Sequence, residues 1–167
     1  MSATWRLIRS ESNRGAWNMA LDEALLKSTA SKLAPPTLRL YSWEPAALSL
    51  GFAQPYLDVD LELLRDKNWD LVRRPTGGRA ILHVDELTYS ITAPLDEPRL
   101  TGNLLESYRT ISRALLMALK ILGVTANGDR EYRTGMTSAM PNPVCFETPS
   151  NYEITAQGKK LIGSAQA

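Results

Sequence analysis

The chain has 167 residues and a formal net charge of +1. That length suffices for one domain with its own apolar core, and so even a charge balance points away from nucleic acid and membrane surfaces as partners. One cysteine and one histidine exclude an internal disulfide, a multi-cysteine metal site and a histidine-rich one, so no metal site is expected.

No apolar run reaches membrane-spanning length; the longest, 114–119, stops at Lys120. Arg6 and Arg9 are not followed by an apolar stretch, so no signal peptide is expected. A single thiol fits a reducing cytoplasm.

Residues 5–8 read as an opening strand. Trp17, Ala20, Leu21, Ala24 and Leu25 then share one helical face, with Asp22, Glu23 and Lys27 on the other. Pro35-Pro36 ends that unit. Leu38, Leu40 and Ser42 alternate with Arg39, Tyr41 and Trp43, a strand with two different faces. Residues 48–52 form a second short strand. Asp58 is placed to cap a brief helix through Arg65, with Leu61 and Leu64 inward.

A strand at 70–74 runs into Arg73-Arg74-Pro75-Thr76-Gly77-Gly78-Arg79-Ala80-Ile81-Leu82-His83. The segment holds three arginines and no acid. Gly-Gly between two strand-like runs is an ordinary hairpin turn, the commoner reading of such a signal. Glycines beside arginines also let backbone N–H groups approach an anionic or carbonyl-bearing ligand. The segment is neither a P-loop nor a G-x-G-x-x-G dinucleotide turn.

A strand at 86–92 follows, then the longest helix, 104–122. Asn103 and Glu106 outline its capping box and Gly123 its stop. Leu104, Tyr108, Ile111, Leu115, Ala118 and Leu122 form its buried stripe. Residues 132–151 show no period, and so long a loop in a compact domain is usually functional or disordered. Two strands, 152–155 and 160–162, flank Gln157-Gly158.

Cys145 lies in that loop. A lone cysteine is more often inert than nucleophilic, but this one is set among polar residues, and His83, Lys159 and Lys160 are available to favour its thiolate. Alternation puts Lys159 and Lys160 on opposite faces, so at most one points into a site.

Four blocks together carry a resemblance. Trp17-Asn18-Met19-Ala20-Leu21-Asp22-Glu23-Ala24, Leu40-Tyr41-Ser42-Trp43-Glu44-Pro45 with Leu48-Ser49-Leu50-Gly51 and Gln54, the 73–83 segment, and Gly158-Lys159-Lys160-Leu161-Ile162-Gly163-Ser164-Ala165 stand in the order seen in the lipoate–protein ligase A and octanoyltransferase family. The resemblance implies an α/β fold with mixed sheets and packed helices, similar to the catalytic domains of biotin ligases and class II aminoacyl-tRNA synthetases. It implies one partial catalytic domain over 1–167, because family members run on for roughly a hundred residues past the lysine block.

The branch follows from Arg79, which stands where the ligases carry a third glycine, and from Cys145-Phe146-Glu147-Thr148-Pro149. Both resemble the cysteine-dependent octanoyltransferases. By that resemblance Cys145 takes octanoate from acyl carrier protein and hands it to a lysine of a lipoyl-accepting protein such as the glycine-cleavage H protein, with Lys160 as its catalytic partner. Gly77 and Gly78 with their flanks, Thr76 among them, line the acyl pocket, and Arg73, Arg74 or Arg79 meets the phosphopantetheine arm or the carrier surface. His83 lies in or just behind this site. No cofactor is implied. ATP and Mg enter only under the alternative, an ATP-dependent lipoate ligase; a further alternative is an inactive truncated fragment.

Overall fold

The computed structural model describes residues 4–128 and 153–166. They fall in two compact units, Met1–Pro98 and Arg99–Ala167. The first unit runs β1 (Arg6–Arg9), α1 (Gly15–Ala30), β2 (Thr37–Tyr41), β3 (Ala47–Leu50), a 3-10 turn (Tyr56–Asp58), α2 (Leu61–Asp66), β4 (Asp70–Arg73), β5 (Ile81–His83) and β6 (Thr88–Thr92). Two mixed three-stranded sheets result, ordered β1-β2-β6 and β4-β3-β5, and α1 packs on strands of both. The anticipated mixed α/β class is the one observed.

The inner face of α1 differs from the periodic reading. Gly15, Asn18, Leu25 and Thr29 are buried, while Trp17 is 60 % exposed. Asp22, expected outward, turns in. The cause lies across the interface, where β2 buries Thr37, Arg39 and Tyr41 and Arg39 is wholly enclosed. A buried cation is tolerated only when paired and hydrogen-bonded. Arg39 donates to Asp22 Oδ1 at 2.8 Å, to Asn18 Oδ1 at 2.6 Å, to the Asn18 carbonyl at 3.1 Å and to Ser10 Oγ at 3.1 Å. Asp22 also accepts from the Tyr41 hydroxyl and from Ser90 Oγ, each at 2.8 Å. Burial, then the neighbouring Asp22 carboxylate, push the Tyr41 hydroxyl far above its ordinary pKa.

Asp60, not Asp58, caps α2: its carboxylate accepts from the Leu63 N–H at 2.9 Å. Of the two leucines expected inward, Leu64 is buried and Leu61 is exposed.

The 73–83 segment is not a hairpin. β4 and β5 both pair with β3, β4 parallel with Ala47 opposite Asp70, and β5 antiparallel with Ala47 opposite His83. The connection therefore crosses the end of β3 and returns on its other side. A turn signal reports that the chain reverses; it does not report that the two arms pair, and β3 offers a ladder on each edge.

In the second unit α3 (Leu104–Ile121) precedes β7 (Ile154–Ala156) and β8 (Lys159–Ile162). The capping box is present. Asn103 Oδ1 accepts from the N–H groups of Leu105 and Glu106 at 3.0 Å, and Glu106 accepts from the Asn103 N–H at 2.8 Å. At the other end Gly123 adopts φ +78°. Its N–H donates to the Lys120 carbonyl, and that of Val124 to Leu119, which is a Schellman closure. The expected stripe is covered only along the middle of the helix: Tyr108, Ile111 and Leu115 are half-buried, whereas Leu104 is 65 % and Leu122 76 % exposed.

β7 and β8 form the anticipated hairpin. Gln157 at φ +50° and Gly158 at φ +77° make a two-residue turn whose twist suits the flanking strands. Residues 129–152, Cys145 among them, lie outside the described residues.

Candidate active site

The loop over β3 is held by side chains from within the first unit. β3 ends at Leu50, and Gly51 lies directly beneath the loop: an added Cβ there would meet the Gly78 carbonyl oxygen at 2.0 Å. Only glycine permits this approach, and Gly78 takes φ +94° above it. Backbone bonds pin both shoulders, Arg74 N–H to the Leu50 carbonyl and Phe52 N–H to the Thr76 carbonyl, each at 3.0 Å.

The three arginines divide in role. Arg73 donates to the carbonyls of Gly51, Phe52 and Gln54 at 2.7, 3.0 and 2.6 Å. Arg74 reaches back to the Ser49 carbonyl at 2.8 Å and Ser49 Oγ at 2.9 Å, and forward to the carbonyls of Gly77 at 3.2 Å and Arg79 at 2.6 Å. Both guanidiniums thus clamp backbone. Arg79 is exposed, and among the described residues its guanidinium makes no hydrogen bond.

His83 is buried beneath this loop at 6 % exposure. Its Nε2 lies 2.7 Å from Ser49 Oγ, and its Nδ1 lies 2.5 Å from Glu86 Oε1. Trp43 stacks on the ring, with centroids 4.0 Å apart and planes 15° from parallel, and its indole N–H donates to Thr88 Oγ1 at 2.8 Å. Burial raises the Glu86 carboxyl. The hydrogen bonds from His83, the Val84 N–H and the Thr88 hydroxyl outweigh that and hold it below the usual carboxylate range.

In the second unit the alternation expected for the lysine pair holds: Lys159 is exposed, and the Lys160 side chain is 2 % exposed. Its ammonium lies 2.6 Å from Glu153 Oε1, itself only 6 % exposed. Thr155 stands opposite Lys160 in the ladder and exchanges two 2.8 Å backbone bonds with Asn127, which ties the hairpin down.

Residues 14–167 match the model of the lipoyl protein ligase A/B catalytic domain. The chain belongs to that family. The lipoyl ligase A/B fold is also seen in solved structures: a lipoate-protein ligase A bound with ATP (TM-score 0.77, 26 % identity, all of this chain and 62 % of that one) and protein Ta0514 of T. acidophilum with bound lipoic acid (TM-score 0.76, 26 % identity, all of this chain and 63 % of that one). Among curated members, octanoyltransferases LipM of Carboxydothermus hydrogenoformans and Kyrpidia tusciae are 46 % and 44 % identical over 98 % of this chain. The chain spans about three-fifths of their length, 60 % and 61 %.

Sequence reasoning assigned no role to Ser49, Gly51 and Glu86, which hold the loop and His83 in the first unit, or to Glu153, which holds Lys160 in the second. Ser49 had a signal, a hydroxyl between two leucines of an apolar strand. Glu86, three residues beyond the single histidine, had another.

Proposed function

We propose that this chain carries the acyl-transfer chemistry of an octanoyltransferase. Octanoate passes from acyl carrier protein to a thioester on Cys145, and from there to a lysine of a lipoyl-accepting protein such as the glycine-cleavage H protein. The observation that carries the reading is Lys160, held with its side chain 2 % exposed against Glu153 in the block where the family places its lysine. The octanoyltransferase names of relatives at 41–46 % identity favour octanoyl transfer over ATP-dependent ligation, as does Arg79 in place of a third glycine.

The Cys145 thiolate adds to the carrier thioester carbonyl; a new C–S bond forms, the old one breaks, and the pantetheine thiolate leaves and takes up a proton. The acceptor amine then adds to the Cys145 thioester. The amide forms, the C–S bond breaks, and the proton lost by the amine returns to sulfur by way of Lys160. One thioester is exchanged for another before the amide forms, so no ATP is needed. A cation at Lys160 favours the thiolate. The Thr76–Gly77–Gly78 backbone forms the acyl wall, Arg73 and Arg74 brace it from behind, and Arg79 faces the phosphopantetheine phosphate or the acidic carrier.

Incubation with octanoyl carrier protein, followed by intact-mass spectrometry, is expected to show one octanoyl group on the chain and none on Cys145→Ser. Near-normal transfer by Cys145→Ser would sink the thioester route. AMP release with lipoate, ATP and an acceptor protein would favour ligation instead.

A further inference from the structure

We propose that Ser49, His83 and Glu86 are positioning residues that hold the Gly77–Arg79 loop in place through Arg74, with His83 kept as its neutral, Nδ1-protonated tautomer. The functional half of this proposal rests on the loop being the acyl wall; the tautomer and the relay do not.

One proton order gives every donor in this relay an acceptor. Arg74 is a donor only, so Ser49 Oγ, 2.9 Å from its Nη1, accepts. The Ser49 hydroxyl proton then finds its acceptor in His83 Nε2 at 2.7 Å, which receives it only when unprotonated. The ring proton therefore sits on Nδ1 and is given to Glu86 Oε1. Glu86 is kept as an acceptor by the Val84 N–H at 2.9 Å and the Thr88 hydroxyl at 3.4 Å. Trp43 closes one face of the imidazole and restricts its rotation.

Ser49 is fully buried and His83 nearly so. With the proton on Nε2 instead, Ser49 Oγ would accept from both neighbours and its own hydroxyl proton would be left without either of them as acceptor where water is excluded, at a cost comparable to a lost buried hydrogen bond. Arg74 is the output. The guanidinium is planar, so fixing Nη1 on Ser49 fixes Nη2, which holds the carbonyls of Gly77 and Arg79. Each carbonyl sets its peptide plane, and hence the opposite direction of the next N–H. The half-exposed carboxylate of Glu86 (38 %) thus orients backbone on the far side of β3 without touching a ligand.

His83 is the single histidine, so its ring nitrogens can be read without ambiguity by nitrogen-15 NMR of the full chain near pH 7.5. The expected spectrum shows a protonated Nδ1 and a bare Nε2. In Glu86→Gln and in Ser49→Ala the Gly78 and Ala80 amide signals are expected to move. The rate of Cys145 octanoylation is expected to fall about tenfold or more, with the carrier-protein KM little changed. Glu86 is half-exposed, so its variant keeps the test open if Ser49→Ala does not fold. A bare Nδ1 or an imidazolium in the wild type overturns the proposal. So do unmoved Gly78 and Ala80 signals in a folded variant. If the wild type accepts no octanoyl group, the acyl-transfer reading falls, and the tautomer and amide signals still decide the relay.

Discussion

Two arginines of the first unit show how one side chain serves different ends. Arg39 lies between α1 and β2, fully enclosed and neutralised by Asp22. Arg74 lies at the end of β3, half-buried, and reaches the carbonyls of a glycine loop. The first holds a helix to a sheet. The second shapes a short stretch of backbone and leaves the sheets as they are. Stability should therefore be sensitive to the Arg39 cluster, and activity to the Arg74 cluster.

The hardest test of that contrast is Asp22→Ala. It leaves the enclosed Arg39 without its counter-charge, and unfolding free energy by urea titration should drop by about 3–5 kcal/mol. A drop below 1 kcal/mol would mean that the Asn18 and Ser10 acceptors suffice. Gly51→Ala comes next. Its Cβ collides with the Gly78 carbonyl, a backbone atom that moves only if the loop moves, so a loss of roughly 1–3 kcal/mol should accompany a large loss of octanoyl transfer. Arg74→Met is milder for the fold, about 1–2 kcal/mol, yet it should slow Cys145 octanoylation markedly. If it lowers stability as much as Asp22→Ala, the division of labour is wrong.

The smallest effect lies at the start of α1. The Asp70 carboxylate accepts from Arg14 at 2.8 Å and from the Gly15 N–H at 2.9 Å. The Arg14 hydrogen bond leads, desolvation opposes it, and the Gly15 N–H adds to it; together they keep Asp70 below its ordinary 3.8. A carboxylate depressed in the folded state adds stability above its unfolded pKa and loses it as pH falls through the folded value. Arg14 is 71 % exposed, so solvent screens the pair and the contribution is a small one. Asp70→Asn should flatten the stability profile between neutral pH and pH 3 slightly; an unchanged profile would place the acid sensitivity elsewhere.

Local chemistry was legible wherever a few neighbouring residues decide the outcome. The α3 capping box, its Gly123 stop and the turn at Gln157-Gly158 follow from side-chain reach and from φ > 0, and all three are present. So is the split of Lys159 from Lys160 across the β8 strand, because alternation is a property of any strand. The orientation of α1 was not legible, although its helicity was. Its apolar residues suggested one inner face, and the buried Arg39 of β2 required another.

The 73–83 segment marks the same boundary. Its residues determine that the chain turns, that glycine lies at the turn and that arginines flank it, and with the other blocks they determine the family. Only the tertiary structure decides that β3 lies between the two arms, that Arg73 and Arg74 grip backbone, and that Ser49, His83 and Glu86 stand in line behind them. Turn chemistry is set within a few bonds. Strand partnership and the partners of a buried cation are set by groups far apart in the chain, whose meeting depends on how the sheets are assembled.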